Sequence, residues 1–300
     1  MKPARRAGTT EVTEAGDSEW VVELGGEDVF DLGLTLNSGQ AFHWVAEGDG
    51  WKGVIEGVGG WLCQKGRVLR GCGIPRLLAE RYLALDHEIA VIHRSFPDHP
   101  RLRAAVAACG GMRILRQPLW ECLAAFITSS MKRVSHISAM SHCLRGRFGK
   151  RLGTVVGDVF AYPEAGRLVQ AGEAALRECG LGYRAPNLLR TAERVASGEA
   201  DLEGWRGLSD GDLREALCGL PGVGVKVANC VMLFGYERLA AVPVDVWIDR
   251  IVRESFLAGR RRASAAAVRK FCESGFGPYG GYAQQYLFHH ARVMDGGAAS

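Results

Sequence analysis

Between Trp20 and about Leu83, short apolar runs alternate with clusters of Gly, Asn and Asp: WVVEL at 20–24, LGLTL at 32–36, AFHW at 41–44, WKGVI at 51–55 and GWLCQ at 60–64. Such runs, bounded by turn residues, predict the strands of a small antiparallel sheet. A helix over 76–83 follows it. Beyond about Asp86 the apolar residues recur at helical spacing, predicting helices over 102–109, 119–129, 134–148, 173–179, 185–196, 212–218, 225–234, 246–255, 265–274 and 282–292. Pro118 suits a first-turn position, and Ser264 is a natural N-cap. The pattern is α+β, with an antiparallel β domain over 18–86 and a helical body over 87–293. The polar, aperiodic stretches 1–17 and 294–300 read as tails.

Composition narrows the function classes. At 47% hydrophobic and 23% charged residues the chain is globular, and no apolar run is long enough to span a membrane. The polar first twenty residues predict no secretory leader. Nine cysteines, none in C-x-x-C spacing, argue against a zinc ribbon or redox dithiol and read as reduced thiols of an intracellular protein. A net charge of +4 names no partner, but its distribution is uneven. Lys132, Arg133, Arg145, Arg147, Lys150 and Arg151 have no acid among them, and seven cations over 250–270 face only Glu254. Two basic surfaces would suit a polyanion, although solvated helix faces have the same charge pattern.

The segment 212–235 carries the clearest chemistry. Leu213, Ala216, Leu217 and Leu220 form a helical stripe, Pro221-Gly222-Val223-Gly224 interrupts it, and Val227, Ala228, Val231 and Met232 resume it. This is a helix, a hairpin and a second helix. Its glycines permit a tight turn, and the amides at the second helix start favour a phosphate bound without base reading. An ordinary turn between helices fits the bare Pro-Gly-x-Gly equally well. Lys226 adds weight, because a cation in a first turn opposes the helix dipole. An amine held there and partly desolvated is a candidate nucleophile able to form a Schiff base. Cys230, at i+4, shares its face. In AVPVDVWIDRIV (241–252), Asp245 reads as an N-cap. A carboxylate so placed is expected to stay ionised, and could stabilise a sugar cation or orient the amine.

The strings LPGVGVKVANC at 220–230 and VPVDVW at 242–247 resemble the helix-hairpin-helix, Gly-Pro-Asp superfamily of DNA glycosylases, and within it the 8-oxoguanine DNA glycosylase family. Also similar are SGQAFHW at 38–44, ILRQPLWECLAAFITSS at 114–130, CGLGYRA at 179–185 and FGPYGGYAQQYLF at 276–288. These blocks run in family order from about Asn37 to Arg292. The resemblance implies a small sheet domain attached to a helical glycosylase body, acting on double-stranded DNA that contains oxidised guanine. It implies Lys226 as the nucleophile toward C1′ and Asp245 as the assisting carboxylate, giving base excision and strand nicking by β-elimination at one site. For the flipped base it implies Gly39, whose carbonyl accepts the N7–H that guanine lacks, Gln284 on the Watson–Crick edge, and Phe288 and Cys230 on the two faces. Tyr183 and Arg184 match the pair that fills the helix and meets the orphaned base. Gly222, Val223 and Gly224 match the phosphate-binding hairpin. No cofactor is required; a structural monovalent cation at the carbonyls of 218–223 is an option, and a monomer is expected.

Departures from the pattern have consequences. Met131 stands where family members carry a gap-filling asparagine, and His136 where they carry a second cytosine-reading arginine, so relaxed opposite-base discrimination is expected. Trp247 replaces a phosphate-touching histidine. Asn229 replaces an acid on the nucleophile's helix. Two rivals remain open at this point: a glycosylase for another damaged base, and a non-catalytic DNA-binding module. Against the iron–sulfur branches, only Cys272 follows Cys230, too few ligands for a cluster.

Overall fold

A computed structural model describes residues 19–25, 29–129, 133–257 and 263–296, with 295–296 as backbone alone. Met131 lies outside the described residues, as do most of the two expected tails. Strands β1 (Trp20–Glu23), β2 (Val45–Glu47), β3 (Gly50–Ile55), β4 (Val58–Lys65) and β5 (Val68–Cys72) form one antiparallel sheet in the order β1-β5-β4-β3-β2. Glu56 and Gly57, both at positive φ, make the two-residue turn joining β3 to β4, a geometry whose twist matches that of paired strands. One sheet face buries Ile55, Leu62 and Leu69 against Phe30, Leu36, Ile74, Tyr82 and Leu115.

Two expected strands are corrected. LGLTL is helix α1 (Leu32–Asn37): Asp31 caps it by accepting from the Leu34 amide at 2.8 Å, and Leu32, Thr35 and Leu36 bury a helical stripe. Leucines at i, i+2 and i+4 satisfy both periods in so short a run, and the cap decides. AFHW pairs with no strand. It crosses between two cores, Phe42 joining the helical one and Trp44 the sheet-side one.

After α2 (Arg76–Tyr82) the helical body comprises α3 (Ile89–Arg94), α4 (Pro100–Cys109), α5 (Leu119–Ser129), α6 (Val134–Phe148), α7 (Ala165–Leu176), α8 (Ala185–Ala196), α9 (Asp210–Cys218), α10 (Val225–Phe234), α11 (Val246–Ile251), α12 (Ala265–Ser274) and α13 (Gly280–Gly296). It is interrupted by a hairpin of β6 (Arg151–Leu152) and β7 (Val159–Phe160), so the chain beyond Asp86 is not purely helical. This hairpin packs where Gly59 of β4 has no side chain; a Cβ there would lie 2.7 Å from Val159. The helix expected over 173–179 begins earlier, at Ala165, breaks at Gly172 (φ 75°) and ends in a π-helical turn, Arg177–Leu181. That expected over 246–255 likewise divides into α11 and a π-helical turn, Val252–Phe256.

Helices α5 and α10 are buried almost all round, as their near-continuous apolar sequences require. Of the expected basic surface over 131–151, Arg145 turns inward, whereas Arg133, Arg147, Lys150 and Arg151 are exposed. Arg145 is buried and pairs with Glu121, while Arg147 pairs with Glu178 and Arg151 with Asp158. Glu121 also faces His43 Nδ1 at 3.3 Å, and His43 Nε2 donates to the Val54 carbonyl at 2.9 Å, tying α5 to the sheet. Among the described residues no helix is long and apolar enough to cross a membrane.

Candidate active site

The hairpin between α9 and α10 is built as its sequence suggests. Gly222 has φ +81°, and a Cβ on it would come within 2.8 Å of Asn187 on α8, so both conformation and close approach demand glycine. Thr191 Oγ1 donates to the Pro221 carbonyl at 3.0 Å and Arg194 Nη1 to that of Gly219 at 3.0 Å, fastening the turn to α8. Val223 is buried, so only its backbone can meet a ligand. Gly224 is the N-cap of α10, and no side chain closes that helix start. Its first amides carry no side-chain cap, the arrangement that an anion favours at a helix start.

Lys226 sits in this open first turn, its Nζ 5.6 Å from the centroid of the Phe126 ring on α5. Phe126 stacks on Phe234 at 5.4 Å and meets Phe42 edge-on at 5.7 Å, so an aromatic ladder walls one side of the amine. Cys230 is buried one turn along α10. Burial pushes its thiol pKa up, opposed by the nearby Lys226 ammonium. Asp245 caps α11, Oδ1 accepting from the amides of Trp247 at 3.0 Å and Ile248 at 2.8 Å. Its pKa is nevertheless raised: burial outweighs those bonds and the attraction of Lys226. Asp245 and Lys226 feel each other directly.

A second constellation gathers around α13, far away in sequence. Gly39, at φ +86°, faces this helix; a Cβ on it would lie 2.9 Å from Arg292 Nη1, 3.4 Å from Val134 and 3.6 Å from Phe288. The Gly39 carbonyl accepts no hydrogen bond among the described residues, although its neighbours do. Gln284, 4% exposed and one turn before Phe288, has a buried Oε1 with no partner. A buried acceptor with no donor among the described residues, as Gln284 Oε1 is, is costly to folding unless a ligand or water supplies an N–H or O–H group. Gln40 holds the loop from beneath: buried, it donates to the carbonyls of Thr35 and Arg113 and accepts from the Leu115 amide at 2.8 Å.

The remaining expected contacts lie on α6, α11 and the turn before α8, and not all of them reach the surface. Tyr183 is 61% exposed, projected by a turn in which Gly180 and Gly182 take positive φ. Arg184 differs from expectation. It is only 4% exposed, packs 4.2 Å from the Tyr183 ring and donates to its hydroxyl at 2.8 Å. In this structure it supports Tyr183 and does not itself project. His136 is exposed on the first turn of α6. Trp247 is half-buried, with the Arg250 guanidinium 4.8 Å from its ring. Asn229 faces away from Lys226's neighbours on α5, accepting from Arg214 Nε at 3.0 Å and donating to the Val242 carbonyl at 2.9 Å, so its change from an acid bears on the α9–α10 contact.

A cleft of about 490 Å³ opens beside Lys226, Asn229 and Arg269, but Gly39, Cys230, Gln284 and Phe288 do not line it. Phe126, Gln285 and Arg292 were not singled out by sequence reasoning. The aromatic in FITSS is the one local signal that could have marked Phe126. Among the described residues no grouping of His, Cys, Asp or Glu suits a metal ion.

No family model matches the chain. Among curated proteins it is similar to the N-glycosylase/DNA lyase OGG1 of Arabidopsis thaliana, 33% identical over 199 residues, covering 63% of this chain and 54% of that protein. The chain spans about half the length, or less, of the curated relatives it matches. Solved structures cover it more fully. That of MBOgg1 in complex with a low affinity DNA ligand is 31% identical with a TM-score of 0.86, covering 92% of this chain and 96% of that one. That of Clostridium acetobutylicum 8-oxoguanine glycosylase/lyase with double-stranded DNA containing cytosine opposite 8-oxoguanine is 28% identical with a TM-score of 0.85, covering 93% and 98%.

Proposed function

The chain belongs to the 8-oxoguanine DNA glycosylase/lyase family of the helix-hairpin-helix superfamily, and on that premise we propose that it excises 8-oxoguanine from duplex DNA and nicks the strand at the vacated site. The observation that carries this reading is the pair of unpartnered acceptors, Gly39 O and Gln284 Oε1, on one helix–loop unit with Phe288. An 8-oxoguanine presents N7–H to the first and its N1 and N2 hydrogens to the second. Guanine lacks the N7 hydrogen, and its bare N7 would be repelled by a carbonyl. That difference supplies selectivity which stacking alone cannot.

Extruding the base costs a few kcal/mol of stacking and pairing. Tyr183 supports that step as a wedge for the vacated stack, and the open start of α10 receives a backbone phosphate. Lys226, unprotonated, attacks C1′: the N–C1′ bond forms, C1′–N9 breaks, and the base leaves with its electron pair and gains a proton. Asp245 stabilises the positive charge that develops on the sugar. Loss of a proton from nitrogen with opening of the sugar gives the Schiff base, and removal of a C2′ proton then expels the 3′ phosphate.

No cofactor is needed for these steps. A monovalent cation at the hairpin would share carbonyls with Arg194 and Thr191, which already donate to Gly219 and Pro221. The protein acts as a monomer inside the cell, and His136 and Met131 in place of cytosine-reading groups make it tolerant of the opposite base. The test is an end-labelled duplex carrying one 8-oxoguanine opposite each of the four bases. Base release and a nick at similar rates are expected. A bound but intact strand contradicts catalysis, and a steep preference for cytosine contradicts the tolerance.

A further inference from the structure

Four consecutive carbonyls, Asn37 to Gln40, belong to the loop that the reading above sets against the flipped base, and three are engaged by side chains. Arg292 Nη2 donates to Asn37 O at 2.5 Å, Gln285 Nε2 to Ser38 O at 3.1 Å and Gln117 Nε2 to Gln40 O at 2.6 Å. Only the carbonyl of Gly39 has no donor among the described residues. Two of the three donors lie seven residues apart on α13, hence on one face of the helix that also carries Gln284 and Phe288. The helix that would read the base therefore also sets the loop that reads it.

Arg292 is the less expected of the two donors. It is half-buried, burial lowers its pKa, and no carboxylate pairs with it among the described residues. Its second contact is His289 Nδ1 at 3.2 Å, a ring kept neutral by burial and by Arg292 itself, with its pKa pushed down to about 4. Its polar contacts are thus a backbone carbonyl and a neutral ring, with no acid among them. Its guanidinium lies 5.8 Å from the Phe288 centroid.

We propose that Arg292 is a positioning residue for lesion recognition: by holding Asn37 O while Gln285 holds Ser38 O, it keeps the carbonyl of Gly39 turned toward the flipped base. The proposal rests on the 8-oxoguanine reading above. A carbonyl free to turn away loses its bond to N7–H and its repulsion of bare N7 together. Displacements of about 1 Å around a reacting group can cost on the order of a hundredfold in rate.

The experiment compares two substrates, a duplex with 8-oxoguanine opposite cytosine and one with a preformed abasic site, which has no base to read. For Arg292→Met the ratio of 8-oxoguanine excision to abasic-site cleavage falls about tenfold or more. Arg292→Lys recovers most of it, because an ammonium can still donate to Asn37 O. Gln285→Leu, removing the neighbouring donor, lowers the same ratio and stands in should Arg292→Met fail to fold. An unchanged ratio, whether both activities persist or both fall together, overturns the proposal. A wild-type protein that cleaves abasic sites yet leaves 8-oxoguanine in place overturns the substrate reading, and the clamp with it.

Discussion

Helices α10 and α11 both open beside the candidate nucleophile with an exposed valine, Val225 or Val246, yet their first turns are built in opposite ways. At α11, Asp245 occupies two of the free amides. At α10, Gly224 offers no side chain and a lysine follows. With glycine at the N-cap the missing side-chain bond costs about a few tenths of a kcal/mol, and a cation in the first turn adds to that. The contrast is between a start closed by the protein's own carboxylate and one left without a side-chain cap, which the proposed function gives to a backbone phosphate. It also explains how Lys226 is tolerated, since the Asp245 carboxylate lies close enough to offset its charge.

Removing either charge breaks the comparison most severely. Lys226→Gln is expected to lower base excision at least about a thousandfold in single-turnover assays, as losses of nucleophiles do. Its melting temperature changes little, because the relief of a dipole-opposing charge is set against the loss of the Asp245 carboxylate's attracting partner. Asp245→Asn is next, at about a hundredfold. Asparagine caps as well as aspartate does, so α11 survives. Burial raises the folded pKa of Asp245, so in the native state its ionised form is disfavoured relative to the unfolded chain. The linked stability is present below the unfolded pKa and is lost as pH rises through the folded one. Thermal melts at neutral pH should therefore find the asparagine variant at least as stable as wild type. For activity, the acid limb of wild-type excision should lie above the ordinary aspartate range and vanish in the variant.

Gly224→Asp tests the open start itself. The backbone there is extended (φ −95°), and an added Cβ meets nothing within 4 Å. A new cap should stabilise α10 by about a few tenths of a kcal/mol in melts, while duplex affinity, measured at fixed salt, drops about tenfold as the carboxylate takes the phosphate's place. Tyr183→Ala has the smallest effect on folding, within about 0.5 kcal/mol for an exposed side chain. It should weaken binding to lesion duplex by about 1–3 kcal/mol if the ring stacks on DNA bases. Equal affinity of the two proteins would remove Tyr183 from the interface.

Much of the architecture was legible before any coordinates. Helices α5, α6, α8, α10 and α12 follow their apolar stripes to the residue, and Ser264 caps α12 as expected. The failures have physical causes. LGLTL satisfies both periods, and β6–β7 is too short to carry one. Arg145 reads as surface because charge patterning cannot show that it turns inward to Glu121. Lys226 and Asp245 were visible because a charge at a helix start is anomalous or useful by position alone. Arg292, Gln285 and Gln40 were not, because they act on backbone carbonyls, and two of those contacts span about 250 residues. No local pattern encodes such a bond.

The most direct test of the account is borohydride trapping of the wild-type protein on an 8-oxoguanine duplex, followed by peptide mapping of the adduct. A single adduct on Lys226, absent from Lys226→Gln, is predicted. An adduct on another amine, or one that persists in the glutamine variant, would contradict the assignment of the open helix start as the catalytic centre.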